Sequence, residues 1–169
     1  MILGFAHAAI VVPDLSLATD FYCRMFGFTL HSRQDWADEP GIDKAIGLEA
    51  SAARSVMLAG HNCYLELFEY SAPSPGESVQ SGRGDGPLAH DSGVRHMAFL
   101  VRDCRREYAR LVELGGKVLG EPIASETGKL VVYARDPFGN LIELCEPEES
   151  ETLDRLRGVV ESDRYEGEK

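Results

Sequence analysis

The strongest constraint on this chain is that it repeats itself. Gly4-Phe5-Ala6-His7-Ala8-Ala9-Ile10-Val11-Val12-Pro13-Asp14 returns as Gly93-Val94-Arg95-His96-Met97-Ala98-Phe99-Leu100-Val101-Arg102-Asp103. Shifted by 89 positions, Gly4, His7, Ala9, Val12, Asp14, Gly27 and Leu30 fall on Gly93, His96, Ala98, Val101, Asp103, Gly116 and Leu119. Leu65-Glu66-Leu67 answers to Ile142-Glu143-Leu144 at an offset of 77, so the first copy carries about a dozen extra residues. A chain built this way folds as two like units, each bringing one histidine and one glutamate on strands.

The local pattern supplies the elements of each unit. Residues 4–12 read as a strand that places His7 in register with Phe5, Ala9 and Val11, and Pro13 ends it. Asp14 or Ser16 caps a helix with apolar positions Leu17, Phe21 and Met25 beside Ala18, Tyr22 and Phe26, and Gly27 stops it. A strand starts at Phe28. From Ser32 to Ala53, Pro40, Gly41 and Gly47 break the pattern and predict a loop with a short helix, either a surface excursion or a lid. Ser55–Leu58 and Cys63–Tyr70 form a hairpin across Ala59-Gly60-His61-Asn62, with Tyr64, Glu66 and Phe68 on one face and Leu65, Leu67 and Glu69 on the other.

The second unit follows the same plan. A strand through His96 leads to a helix capped by Asp103, with Tyr108, Leu111 and Val112 inward, and Gly115-Gly116 ends it. A turn-rich stretch with Pro122 precedes strand Leu130–Ala134, and Asp136-Pro137-Phe138-Gly139-Asn140 turns it into Leu141–Glu146, where Leu141, Glu143 and Cys145 share a face. The expected fold is α+β, two paired βαβββ modules: residues 1–70 and 93–147, a Gly/Ser/Pro-rich linker at 71–92, and a polar tail at 148–169. In the tail, Leu153, Leu156, Val159 and Val160 are spaced for a short amphipathic helix.

Bulk properties narrow the partners. With 169 residues and 44% hydrophobic side chains there is enough apolar surface for a real core. A formal charge of -11 repels phosphate backbones and anionic membranes, so neither nucleic acid nor a membrane surface is an expected partner. No apolar run is long enough to span a bilayer, and the start lacks a secretory pattern, which makes a cytoplasmic location the expectation. Cys23, Cys63, Cys104 and Cys145 lack C-x-x-C spacing and read as free thiols.

The chemistry lies in four side chains. His7, Glu66, His96 and Glu143, one imidazole and one carboxylate from each copy, are what a pseudo-two-fold metal centre requires. Taken singly, a strand histidine is a satisfied core residue and a strand-end glutamate is solvated. Taken together, four recurring polar groups on apolar strands cost too much to be accidental. Zn²⁺, Ni²⁺, Co²⁺, Mn²⁺ and Fe²⁺ all suit such ligands. His31, His61 and His90 have no duplicated counterpart and read as surface residues.

The His7 strand, the helix end at Phe21-Tyr22 to Phe26-Gly27-Phe28, Tyr64-Leu65-Glu66-Leu67, the Gly93–Val101 strand and Asp136-Pro137-Phe138-Gly139-Asn140-Leu141-Ile142-Glu143-Leu144 together resemble the vicinal oxygen chelate superfamily, over residues 4–147. The resemblance implies paired βαβββ modules in a curved mixed sheet around one divalent metal ion, commonly in a homodimer. It does not by itself imply one reaction. Members with four ligands, glyoxalase I and the methylmalonyl-CoA epimerases, bind metal at positions matching His7, Glu66, His96 and Glu143. The ring-cleaving dioxygenases use iron at positions matching His7, His96 and Glu143 and leave Glu66 idle.

The presence of Glu66 therefore favours proton chemistry on a small carbonyl compound. An isomerase, epimerase or racemase is expected, with the metal polarising the carbonyl and Glu143 or Glu66 acting as base. Glyoxalase I commonly has Thr-His-Asn just after its first glutamate. Here Phe68-Glu69-Tyr70 stands instead, which argues against a glutathione adduct. The epimerases carry a further glutamate upstream of the first-module metal strand, and Glu49 lies near that position. Tyr64, Phe68 and Trp36 are candidate pocket walls. The alternatives are a glyoxalase I-like lyase, an Fe²⁺ extradiol dioxygenase and a metal-free small-molecule binding or resistance protein.

Overall fold

The computed structural model describes residues 2, 4–74, 88–124, 126 and 129–147. The first half contains β1 (Ala8–Val11), α1 (Leu15–Phe26), β2 (Thr29–Ala37), α2 (Pro40–Ile46), β3 (Ala52–Ala59) and β4 (Tyr64–Ala72). Its sheet runs β1-β4-β3-β2, with β1 parallel to β4 and the other pairs antiparallel. Asp14, in extended conformation, accepts the Leu17 N–H and starts α1. Gly27 ends it at φ 70°, a left-handed turn that a residue with a side chain adopts only with strain. The buried face of α1, Leu15, Ala18, Phe21, Tyr22 and Met25, packs on β3 and β4 against Leu58, Leu65 and Leu67.

The second half repeats this with β5 (His96–Leu100), α3 (Cys104–Glu113), β6 (Lys117–Val118), β7 (Ile123–Ala124), β8 (Leu130–Arg135) and β9 (Leu141–Glu146). The order is β5-β9-β8-β6, with β7 also on β8. Lys117 lies opposite Arg135 and Ile123 opposite Val131, so β6 and β7 are two pieces of one interrupted edge strand in the place β2 fills in the first half. A Cβ on Gly116 would sit 2.0 Å from a Leu111 methyl and 2.8 Å from the Arg135 carbonyl oxygen, which is why the chain can enter β6 so tightly only with glycine. Leu111 is fully buried as expected, but Val112 is 43% exposed. The inward stripe follows Cys104, Tyr108 and Leu111, and Val112 lies a further 100° or so round the helix.

Each helix start is also tied to its own sheet. Leu15 N–H donates to Glu69 Oε2 at 2.7 Å, and at the duplicated position Cys104 N–H donates to Glu146 Oε2 at 2.8 Å. These carboxylates satisfy amide groups that a helix leaves unpaired at its first turn.

The halves meet through α1. Phe26 stacks on Phe99 with ring centres 3.8 Å apart, and Phe21 meets Phe138 edge-on at 6.4 Å. Tyr22 O–H donates to Asp136 Oδ2 at 2.7 Å, with both residues fully buried. Asp136 further accepts the Phe138 and Asn140 N–H groups and the Asn140 side-chain amide, so the turn before β9 also anchors the first module. Burial first, and then the Asp136 charge, push the Tyr22 phenol well above its ordinary value. Arg110 completes the seam by donating to the Arg24 carbonyl oxygen.

Several expectations change. The stretch read as a loop from Ser32 carries β2 as far as Ala37, followed by the short helix α2. β2 is an edge strand, exposed at nearly every position, so it shows no alternation. The first strand is shorter than residues 4–12 and starts at Ala8, while β4 runs on to Ala72. The middle of the expected linker, 75–87, and the helix expected in the tail lie outside the described residues. Among the described residues no helix is long and apolar enough to cross a membrane.

Candidate functional site

The four expected ligands form two pairs. His7 immediately precedes β1, and its Nε2 lies 3.2 Å from Glu66 Oε2 on β4. His96 opens β5, and its Nε2 lies 3.0 Å from Glu143 Oε2 on β9. The strand registers are equivalent, since Ala9 pairs with Glu66 and Ala98 with Glu143. In both pairs the histidine side chain is 36% exposed and the glutamate 16%, so each is half-buried on the sheet face turned away from its helix. The pairs do not converge within the chain: among the described residues no three His, Cys, Asp or Glu side chains group in a way that would hold a metal.

Their surroundings break the symmetry. Opposite Glu143 stands Tyr133, whose O–H donates to Glu143 Oε2 at 2.7 Å, and Cys145 S–H donates to Oε1 at 2.9 Å. Opposite Glu66 stands Met57, and the residue matching Cys145 is Phe68. Glu143 is therefore held by three side chains and Glu66 by His7 alone among the described residues. Burial acts to raise the Glu143 carboxyl, but the Cys145 and Tyr133 donors and His96 outweigh it, and the group ends below its ordinary value. The hydrogen bond to Glu143, and then burial, push Tyr133 up to about 12, so its O–H remains a donor at any physiological pH. Burial and the same carboxylate push Cys145 up to about 12.

Of the expected pocket walls, Phe68 shares the Glu66 face of β4, and Trp36 meets Phe68 and Tyr70 edge-on, each at 5.9 Å. Trp36 is fixed by donating Nε1–H to Ser51 Oγ at 2.9 Å, and Ser51 in turn donates its backbone and hydroxyl to Asp43. Tyr64 lies past the other end of Glu66 and lines a cavity of about 840 Å³ with His7. His31 and His61, read as plain surface residues, line that same cavity. His31 is brought there by a register shift between Leu30 and Ser32, and His61 by the β3–β4 turn. Glu49 stands exposed in the connection from α2 to β3 and does not line this cavity. Tyr133 was missed by sequence reasoning, although counting back from the Asp136–Asn140 turn places it opposite Glu143.

A duplicated βαβββ plan with a histidine and a glutamate at matching points of each copy defines a class. Residues 4–144 match the model of the Glyoxalase/Bleomycin resistance protein/Dioxygenase superfamily, and the chain belongs to that family. It is 33% identical over 152 residues to a 2-epi-5-epi-valiolone epimerase from Actinomyces sp, covering 82% of this chain and 76% of the relative. It is 32% identical over 133 residues to a 4-hydroxyphenylpyruvate dioxygenase from Danio rerio, covering 78% of this chain but 30% of that protein. Among solved structures, a glyoxalase family protein from Bacillus cereus superposes with a TM-score of 0.75 at 24% identity, covering 86% of this chain and 95% of that one. The family consists mostly of enzymes, and relatives of this chain bear epimerase, lyase and dioxygenase names.

Proposed function

We propose that this chain is a divalent-metal-dependent isomerase or epimerase that removes a proton from the carbon beside a carbonyl group of a small substrate and returns it to another carbon or face. The observation that carries this is the matched pairing of His7 with Glu66 and His96 with Glu143, each half-buried and open on one side. Two imidazole nitrogens and two carboxylates suit Zn²⁺, Ni²⁺, Co²⁺ or Mn²⁺. A bound ion would act as a Lewis acid on the carbonyl, which acidifies the neighbouring carbon. The epimerase from Actinomyces sp supports this class of reaction.

Within this reading the two glutamates have different tasks. Glu143, held by His96, Tyr133 and Cys145, stays in place as a ligand. Glu66, with only His7 on it and with Met57 and Phe68 as neighbours, is free to turn toward substrate and take the proton on Oε2. Phe68, backed by Trp36, and Tyr64 stand to either side of it on the strand. Glu49 is a weaker candidate base because its carboxylate is exposed on a loop.

The centre is completed by a second copy of the chain. β1 and β5 are both edge strands, and on the site face of each the side chains beyond the histidine, Ala9 and Val11 or Ala98 and Leu100, are exposed. Laying the β1 edge of one protomer on the β5 edge of another covers them and brings His7 and Glu66 to His96 of the partner subunit and Glu143 of the partner subunit.

The test is metal analysis of the purified protein beside its Glu66→Ala variant, followed by solvent-deuterium exchange with carbonyl compounds. Near-stoichiometric Zn, Ni, Co or Mn that falls in the variant, with deuterium entering beside the carbonyl, is the expected result. Iron that ignores the substitution, with oxygen uptake on a catechol, would move the assignment to a dioxygenase, in keeping with the Danio rerio relative.

A further inference from the structure

The cavity beside His7 carries information about the substrate that the metal ligands do not. Besides His7 and Cys63, its polar lining consists of His31, Ser32, His61, Asn62 and Tyr64, with Phe5 and Met57 among its apolar groups. Every one of these polar groups is an imidazole, hydroxyl or amide, and none is a carboxylate, ammonium or guanidinium. Among the described residues no Asp, Glu, Lys or Arg lines it, in a chain with 28 acidic and 17 basic side chains. The side chains of Ser32, His61 and Asn62 make no hydrogen bond to any described residue, and His31 touches Tyr64 only edge-on, at 5.3 Å. These exposed groups line open space next to a metal-ligand candidate.

We infer that this cavity selects the end of the substrate remote from the reacting carbonyl, and that the substrate class is a neutral, hydroxyl-rich ketone. Resting on the isomerase reading, this narrows the "small carbonyl compound" to one chemistry. A hydroxyl both donates and accepts, as does each of the lining groups, so a polyol can satisfy imidazole, amide and hydroxyl partners at once. A carboxylate or phosphate only accepts, and among the described residues of this chain no arginine or lysine lines the cavity to offset its desolvation. The volume of about 840 Å³ suits a ligand of sugar size. Phe5 and Met57 cover the carbon faces that a ring of hydroxyls leaves between its polar edges.

The experiment uses the metal-loaded full chain and two probes of similar size, a keto-inositol and the anionic glucuronate. Binding is measured by calorimetry and, independently, by protection of Cys63 from alkylation. Cys63 is exposed and lines the cavity, whereas Cys104 and Cys145 are buried. The keto-inositol is expected to bind, to slow Cys63 alkylation and to bind at least about 10-fold tighter than glucuronate. His61→Ala and Asn62→Ala are each expected to weaken it about 10-fold, the scale of one lost hydrogen bond, with metal content and melting temperature unchanged. The inference is overturned if the keto-inositol does not bind, if glucuronate binds as tightly, or if the two variants bind the keto-inositol like the parent. Failure of the isomerase reading is seen separately, as metal content indifferent to Glu66→Ala and no deuterium entering the bound ketone, with Cys63 protection and the variant effects intact.

Discussion

The unequal support of the two glutamates can be tested at Tyr133. Replacing it by Phe removes one O–H and keeps the ring that meets His96 edge-on at 5.1 Å. The lost bond is 2.7 Å long and accepted by a carboxylate that is 16% exposed. Hydrogen bonds to charged groups contribute about 1.5–3 kcal/mol. Cys145 remains as a donor on the other oxygen, so part of the orientation survives, and a cost of about 1–2 kcal/mol follows, or about 5- to 30-fold in metal affinity. The matching position in the first module supplies an internal control, because Met57 faces Glu66 as Tyr133 faces Glu143 but donates nothing. Competition against a chromophoric chelator should therefore show weaker metal binding for Tyr133→Phe and a change of less than about 2-fold for Met57→Leu. Equal losses at both positions, or none at Tyr133, would refute the idea that Glu143 is the fixed ligand and Glu66 the mobile one.

Two further outcomes follow from the geometry. If each centre draws one half from either of two chains, mixing the separately inactive His7→Ala and His96→Ala proteins should restore about a quarter of the wild-type metal sites, since half the dimers are mixed and each mixed dimer holds one intact centre; no restoration after subunit exchange would place both halves of a centre in one chain. Glu69 is held below its ordinary value by the Leu15 N–H and then by Arg54, so its stabilising effect is present above the ordinary carboxylate range and is lost as pH falls through the lowered folded value. Urea unfolding should show Glu69→Gln less stable by about 1 kcal/mol near neutrality, with the difference shrinking as the medium is acidified below about pH 4.5; a gap that widens in acid would contradict the assignment.

What could be read from the sequence was whatever the chain encodes locally. Asp14 and Asp103 cap their helices, Gly27 stops α1, Gly60 N–H closes the hairpin on the Cys63 carbonyl, and Leu65 and Leu67 fill the core opposite Glu66. The features missed depend on contacts between distant segments. β2 is polar on both faces and is a strand only because β3 pairs with it, so no periodicity announces it. His31 and His61 belong to one cavity because the register shift in the β2–β3 pair and the β3–β4 turn meet there. Tyr22 bonds Asp136 from 114 positions away, and neither the helix pattern nor the turn motif hints at the other. Tyr133 is the exception, since the turn at Asp136–Asn140 sets the β8–β9 register and thereby names the residue opposite Glu143.

Duplication alone does not distinguish a site from a scaffold. Four pairs of acidic or basic-capable residues recur here at matched positions, and two of them are structural. Asp14 and Asp103 accept helix N–H groups, and so do Glu69 and Glu146. In those pairs the carboxylate's hydrogen-bonding capacity is spent on amides that the fold would otherwise leave bare. His7 with Glu66, and His96 with Glu143, cap no helix and close no turn, and in each pair the imidazole's partner is the glutamate beside it. A fold that keeps such groups half-buried on an open sheet face gains little stability from them, since a partly exposed ion pair contributes about 0–1 kcal/mol. The proposed function gives them another task, the binding of a metal ion. Tyr133 and Cys145 then mark where the two copies have diverged: Glu143 is held by three side chains and Glu66 by His7 alone among the described residues, an asymmetry that the proposed proton transfer would use.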